Sequence, residues 1–250
     1  MDLQLANRTA IVTGASRGLG RAIAAAFAEE GMNVVAAART AADLDTLADA
    51  YPDRIVAAPC DMEDRDAVEA LVALALERFG DLFVVVNNAG IAPAGKLTDQ
   101  SFDIYDRVLA VNVIAPALLA RTAARHFIAR GGGGKVINIA STSGLRGKPT
   151  LVAYSSSKGA LLRMTEAMAG EWAPFGIQVN AIAPGAFETE AQGAVLADAT
   201  MLERRLRKIP AGRMGDPTEI GPLACYLASP VSDFVTGSTY VIDGGEAAKL

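Results

Sequence analysis

The run Thr9-Ala10-Ile11-Val12-Thr13, followed by Gly14-Ala15-Ser16-Arg17-Gly18-Leu19-Gly20 and an alanine-rich stretch over residues 21–30, restricts this chain more than any other feature. The first five residues have the length and apolar character of a strand buried on both faces, and the last ten read as a helix. The glycines must turn the chain between them. They also let the backbone approach a pyrophosphate, which then lies at the positive N-terminal end of the helix. The spacing is Gly-x-x-x-Gly-x-Gly, not the GxGxxG of the standard dinucleotide fingerprint.

The same alternation runs to the end of the chain. Strands are expected at Asn33–Ala38, 54–58, 82–86, 136–140, 177–182 and Thr239–Ile242. Helices are expected at Ala41–Ala50, 63–79, 101–130 in more than one segment, from Tyr154 onward, and from Pro217 to about residue 228. At 250 residues and 51% hydrophobic content, this pattern predicts one α/β domain of Rossmann type over residues 1–250. A net charge of −5 without any block of like charge argues against nucleic acid and anionic membrane as partners. Cys60 and Cys225 lie far apart and His126 is the sole histidine, so no metal site and no Ser/His or Cys/His nucleophile is expected. Cys60 reads as packing and His126 as a solvated surface residue. Residues 1–8 carry an acid and no apolar core of signal-peptide length, which predicts a soluble, cytoplasmic protein.

Chemistry points to residues 141–158. Tyr154 and Lys158 stand one helical turn apart on one face, with Cβ atoms roughly 5–6 Å from each other. A phenol of pKa about 10 needs a shift of up to roughly 3 units to trade protons near neutrality, and one nearby ammonium is expected to supply much of it. Ser141, after the apolar run Val136-Ile137-Asn138-Ile139-Ala140, places a hydroxyl at the carboxyl end of a strand, where Ser141 holds a carbonyl and Tyr154 protonates it. Elsewhere, Ala38 and Arg39 end the second strand where an acid would bind the ribose of NAD, so Arg17 and Arg39 read either as a guanidinium pair for a 2′-phosphate or as solvated surface. Asp61 reads as a contact to an adenine amino group, as the N-cap of the helix over 63–79, or as both. Asn87-Asn88-Ala89-Gly90 suits a floor beneath a cofactor, and Asn112, inside an apolar stretch, needs polar partners. Arg146 and Lys148, before Tyr154, are either contacts to an anionic group on the substrate or loop surface. Residues 186–212 are expected to form a mobile lid, with Arg204, Arg205, Arg207 and Lys208 as a solvated helix face.

Together, Thr13-Gly14-Ala15-Ser16-Arg17-Gly18-Leu19-Gly20 (TGxxxGxG), Asn87-Asn88-Ala89-Gly90 (NNAG) and Tyr154 with Lys158 (YxxxK) resemble the short-chain dehydrogenase/reductase family over nearly the whole chain. The resemblance implies a doubly wound, seven-stranded parallel sheet with helices on both faces and an oligomer, commonly a homotetramer, less often a dimer. It implies hydride transfer between a nicotinamide and a small-molecule carbonyl or secondary alcohol, with Asn112, Ser141, Tyr154 and Lys158 as the catalytic set. Asn112 would hold a water that links Lys158 to solvent. Cofactor contacts would come from Gly14, Ser16, Arg17, Gly18, Leu19, Gly20, Arg39, Asp61, Met62, Asn88, Ala89, Gly90, Tyr154, Lys158, Pro184, Gly185, Phe187 and Thr189. NADP(H) is favoured, with NAD(H) as the other cofactor. Sugar acids of the gluconate 5-dehydrogenase kind and 3-oxoacyl thioesters are the substrate classes considered. A noncatalytic dinucleotide sensor, or a dehydratase or epimerase on the same fold, is the alternative. Asn7 stands where the family has a glycine before the first strand, and asparagine tolerates the left-handed turn required there.

Overall fold

A computed structural model describes residues 1–248, so the last two residues of the expected domain lie outside the described residues. Seven strands, β1 (Thr9–Thr13), β2 (Asn33–Ala38), β3 (Ile55–Pro59), β4 (Val84–Asn87), β5 (Gly134–Ile139), β6 (Ile177–Pro184) and β7 (Thr239–Ile242), form one sheet. Its order is β3-β2-β1-β4-β5-β6-β7, and every pairing is parallel. The direction in which successive strands are added reverses between β1 and β4, the switch point outside which ligands bind in such folds.

The two-residue side-chain period sorts the strands onto two cores. Ala10, Val12, Val34, Ala36, Val84, Val86 and Ile137 face α1 (Gly18–Glu29), α2 (Ala41–Ala50) and α10 (Gly221–Ala228), meeting Ile23, Phe27, Leu44, Leu47 and Leu227. Ile11, Val35, Ala37, Val85, Val136 and Val179 face α3 (Arg65–Phe79), α5 (Ala115–Arg130) and α7 (Val152–Trp172), meeting Leu71, Val72, Leu119, Phe127 and Trp172. Residues Phe102–Arg130 are long and apolar enough to cross a membrane, but half of an 18-residue apolar window within them is buried, and Val111, Ala115, Leu119, Ala120, Ala123, Ala124 and Phe127 pack into this second core. The helix is continuous but not uniform. α4 (Phe102–Leu109) passes through a π-turn at Ala110–Ile114 into α5. The remaining helices are short: α6 (Thr142–Leu145), α8 (Gly193–Leu196) and α9 (Ala199–Leu206).

Several expectations are corrected here. α1 starts at Gly18, with Arg17 as an extended N-cap, so two of the glycines belong to the first helical turn. β4 begins at Val84, two residues later than its apolar run, and β6 continues to Pro184 because Pro184 is still in register with Ile242 on β7. Asp61 does not cap α3. Asp64 does, accepting from the backbone N–H groups of Asp66 and Ala67, while Asp61 closes the preceding turn by accepting from Glu63 N–H at 3.1 Å. His126 is half-buried, and its Nε2 lies 3.1 Å from an Asp81 carboxylate that Arg130 also binds. Asn7 does adopt the left-handed conformation, at φ 62°.

Candidate active site

The carboxyl ends of β1, β4 and β5 meet at one point. Thr13 Oγ1 accepts from the backbone N–H groups of Asn88 and Ala89 at 3.0 and 3.1 Å, and Asn88 Nδ2 donates back to the carbonyls of Thr13 and Gly14. A Cβ on Gly20 would fall 2.3 Å from both Asn88 Nδ2 and the Gly14 carbonyl oxygen, so no side chain fits where helix and strand ends cross. The turn therefore keeps its backbone bare. A Cβ on Gly18 would sit 3.4 Å from Thr189, which places the mouth of the turn opposite the segment after β6. Arg17 and Arg39 are both exposed, and their guanidinium groups form no hydrogen bond or ion pair among the described residues. Ala15 N–H donates to the Ala37 carbonyl, which joins the glycine turn to the end of β2 that carries Arg39.

Ser141 leaves β5 as the N-cap of α6. Its Oγ accepts from Ser143 N–H at 3.0 Å, which leaves its own hydrogen to donate. A Cβ on Gly144 would come within 2.7 Å of the Lys158 carbonyl carbon, so α6 and α7 touch backbone to backbone and bring Ser141 to the start of α7. There Tyr154 and Lys158 share a face, with Lys158 Nζ 5.8 Å from the centre of the tyrosine ring. Lys158 is 3% exposed and donates to the Ile139 carbonyl at 2.7 Å. Burial pushes its pKa down to about 8. Burial also pushes the Tyr154 phenol above its ordinary value, and the neighbouring Ser141 hydroxyl draws it partly back. The expected lowering of Tyr154 by the lysine is not found. The ammonium is turned toward the Ile139 carbonyl, and burial raises the phenol while lowering the lysine.

Asn112 is fully buried in the π-turn. Its Nδ2 donates to the Ile91 carbonyl and to Ser157 Oγ, both at 3.0 Å, and its Oδ1 accepts from Ile91 N–H at 2.9 Å. Both amide hydrogens are thus taken by protein, so this side chain has none to give a water. A Cβ on Gly90 would meet Asn112 Oδ1 at 3.3 Å and Lys158 Nζ at 3.6 Å, so the NNAG segment borders the same pocket.

Other expected contacts separate. Ser16, Leu19 and Thr189 are half-buried at the glycine turn and at the segment facing it. Met62 is buried in the second core, and Phe187 turns its ring onto Gly215. Pro184 ends β6, and Gly185 packs against Asp243. Arg205 is no solvated residue: it forms a two-point ion pair with Glu246 at 2.7 and 2.8 Å, with both side chains under 20% exposed. Lys148 lies 4.0 Å from the same Glu246, and burial lowers its pKa. Arg146 is exposed, and its side chain is unpaired among the described residues. Glu246 and Ser157 are given no role by the sequence, because nothing local marks either for one.

The family described as enoyl-(acyl carrier protein) reductase matches residues 14–246. The chain belongs to the short-chain dehydrogenase/reductase family. It is 36% identical to the 2-dehydro-3-deoxy-D-gluconate 5-dehydrogenase of Escherichia coli (strain K12), over 98% of this chain and 97% of that one. It is 35% identical to the gluconate 5-dehydrogenase of Gluconobacter oxydans (strain 621H), with the same coverage. The crystal structure of a gluconate 5-dehydrogenase from Burkholderia cenocepacia J2315, in complex with NADP and tartrate, superposes with a TM-score of 0.93 at 36% identity, covering 100% of this chain and 98% of that one. This member of the short-chain family is accordingly an NAD(P)-dependent oxidoreductase of CH–OH and C=O groups.

Proposed function

We propose that this dehydrogenase interconverts a secondary alcohol and a ketone on a sugar acid, with NADP(H) as cofactor. The observation that carries the reading is the meeting of α6 and α7, which gathers Ser141, Tyr154 and a buried Lys158 at one place, with Lys158 Nζ 5.8 Å from the tyrosine ring. The Ser141 hydroxyl donates to the substrate oxygen. Tyr154, kept as a neutral phenol by burial, gives that oxygen its proton in reduction and takes it back in oxidation. Lys158 holds positive charge near the tyrosine and stabilises the phenolate as it forms. Gly14 and Gly20 let the turn close onto Asn88, where a Cβ would come within 2.7 and 2.3 Å, and the backbone this leaves bare at the N-terminus of α1 fits a pyrophosphate. NADP(H), when bound, supplies or accepts the hydride.

Arg17 and Arg39, exposed and unpaired at adjoining strand ends, would hold a 2′-phosphate. Replacing Ala38 with Asp then reverses the cofactor preference, because the carboxylate repels that phosphate and accepts from a ribose hydroxyl. Equal kcat/KM for NADPH and NADH in the wild type overturns the assignment. The sugar-acid carboxylate falls to Arg146, since Lys148 is already matched by Glu246. The names of the Escherichia and Gluconobacter relatives support that substrate class. A 3-oxoacyl thioester is the second class, and the acyl carrier protein in the family description supports a thioester.

The decisive experiment is a screen of sugar acids, polyols and 3-oxoacyl thioesters with both cofactors, followed by a matched ketone pair, free acid and methyl ester. Preference for the acid that disappears in Arg146→Ala is the expected result; no preference in the wild type removes the carboxylate site. A homotetramer working in the cytoplasm is part of the same reading. Self-association is supported by the apolar side chains of Phe102, Phe175 and Phe234, left exposed on the single chain, and sedimentation equilibrium tests it.

A further inference from the structure

The first turn of α7, which carries Tyr154, is tied to the preceding loop by one side-chain bond, from Lys148 N–H to Ser155 Oγ at 3.2 Å. Leu151 at the N-cap makes no side-chain hydrogen bond, and Thr150 before it has a left-handed φ of 66°. Helix starts without a cap leave backbone donors unsatisfied and fray. The tyrosine's position needs another source.

Ser157 supplies it. Its side chain is fully buried, on the same helix as the two reacting groups and between them in sequence. The hydroxyl donates to the Tyr154 carbonyl at 2.7 Å and accepts from Asn112 Nδ2 at 3.0 Å. Asn112 is itself fixed to the Ile91 backbone by two bonds of 2.9 and 3.0 Å. An unbroken line of hydrogen bonds therefore runs from the loop after β4, through the π-turn, to the backbone of the tyrosine. A π-turn carries an extra residue relative to an α-turn, and such insertions recur at functional sites. Here it aims Asn112 at α7, and the group it meets is Ser157.

We infer that Ser157 is a positioning residue: it locks the first turn of α7 to the Asn112 π-turn and so fixes where the Tyr154 phenol stands relative to Ser141. This rests on the assignment of Tyr154 as the proton donor. Ser157 is fully buried and presents no surface to substrate or cofactor. Its loss therefore acts on the step in which Tyr154 must be aligned, and leaves binding alone. Misplacement of a reacting group by about 1 Å is enough to cost about 10²-fold in rate.

The test compares Ser157→Ala, Ser157→Cys and Ser157→Thr, with kcat, substrate KM, NADPH affinity by fluorescence, and melting temperature measured for each. Alanine removes both bonds, cysteine fills the space with a weak donor and acceptor, and threonine keeps the hydroxyl. The expected result is a kcat about 10- to 100-fold lower for Ala and Cys, with KM and NADPH affinity within about threefold of wild type, and recovery in Thr to within about threefold. If Ala does not fold, Cys carries the same expectation. The inference is overturned if Ala or Cys keeps the wild-type kcat, if kcat, KM and cofactor affinity fall together with the melting temperature, or if folded Thr is as slow as Ala. Tyr154→Phe is assayed alongside. If it stays active, the proton-donor assignment fails; if it is inactive while Ser157→Ala is fully active, only the role of Ser157 falls.

Discussion

A phenol that trades protons near neutral pH sits here in surroundings that raise its pKa, which makes it a donor first. Tyr154→Phe deletes that donor and little else, so kcat should fall by more than tenfold while NADPH still binds with nearly unchanged affinity. Steady-state rates and fluorescence titration measure the two effects, and a variant keeping more than a tenth of the wild-type kcat refutes the assignment. Lys158 leads to a different measurement. Its pKa of about 8 when folded lies below the 10.5 of the exposed group, because burial disfavours the ammonium. Between those values the unfolded chain binds more protons than the folded one, so stability rises as pH increases through that window. Lys158→Met lacks the group and the effect. Wild type should gain on this variant between about pH 8 and pH 10.5, by at most on the order of 3 kcal/mol for a shift of this size. Urea denaturation at several pH values checks the slope, and a difference that stays constant would contradict it.

Elements in this molecule are joined at their ends by single polar side chains. Asp64 caps α3, Ser141 caps α6, and Asp216 with Glu219 forms a capping box at Pro217–Ile220. The box follows the Asp-x-x-Glu spacing, so it was readable from the residues. α9 has a more distant tie. Its apolar side, Leu202 and Leu206, rests on Ala186, Ile209 and Met214, while Arg205 reaches Glu246 beyond β7. On the reading of residues 186–212 as a lid, Glu246 is the tie between it and the loop that carries Lys148. Glu246→Gln keeps the size and removes the charge. Amide exchange in residues 199–209 should quicken and KM should rise severalfold, with kcat changed much less. Unaltered exchange in that segment would count against the tie.

At the level of the whole molecule, the edge of the sheet is secured by a charge pair. Lys135 at the start of β5 is 1% exposed, and its Nζ lies 2.5 Å from Asp233, ahead of β7. Asp233→Ala strands a buried ammonium, and the loss of such a charge-assisted bond costs about 1.5–3 kcal/mol. Chemical denaturation should show that loss with kcat unchanged, since the pair lies at the amino end of β5, away from Ser141. The architecture itself was legible in the residues. Thr9–Thr13, Asn33–Ala38, Ala41–Ala50 and Thr239–Ile242 match their expected bounds, because apolar period and breaker residues act over a few positions. The shared face of Tyr154 and Lys158 follows from helical spacing in the same way. Partners between distant segments were not legible: Asn112 with Ser157, Arg205 with Glu246, His126 with Asp81, and the ring of Phe187 on Gly215. Local sequence determined which segments become strands, turns and helices and which residues carry reactive groups. Tertiary structure decided which of those groups meet and how far burial shifts their protons, because both depend on strand order and on the exclusion of water by side chains far away in the chain.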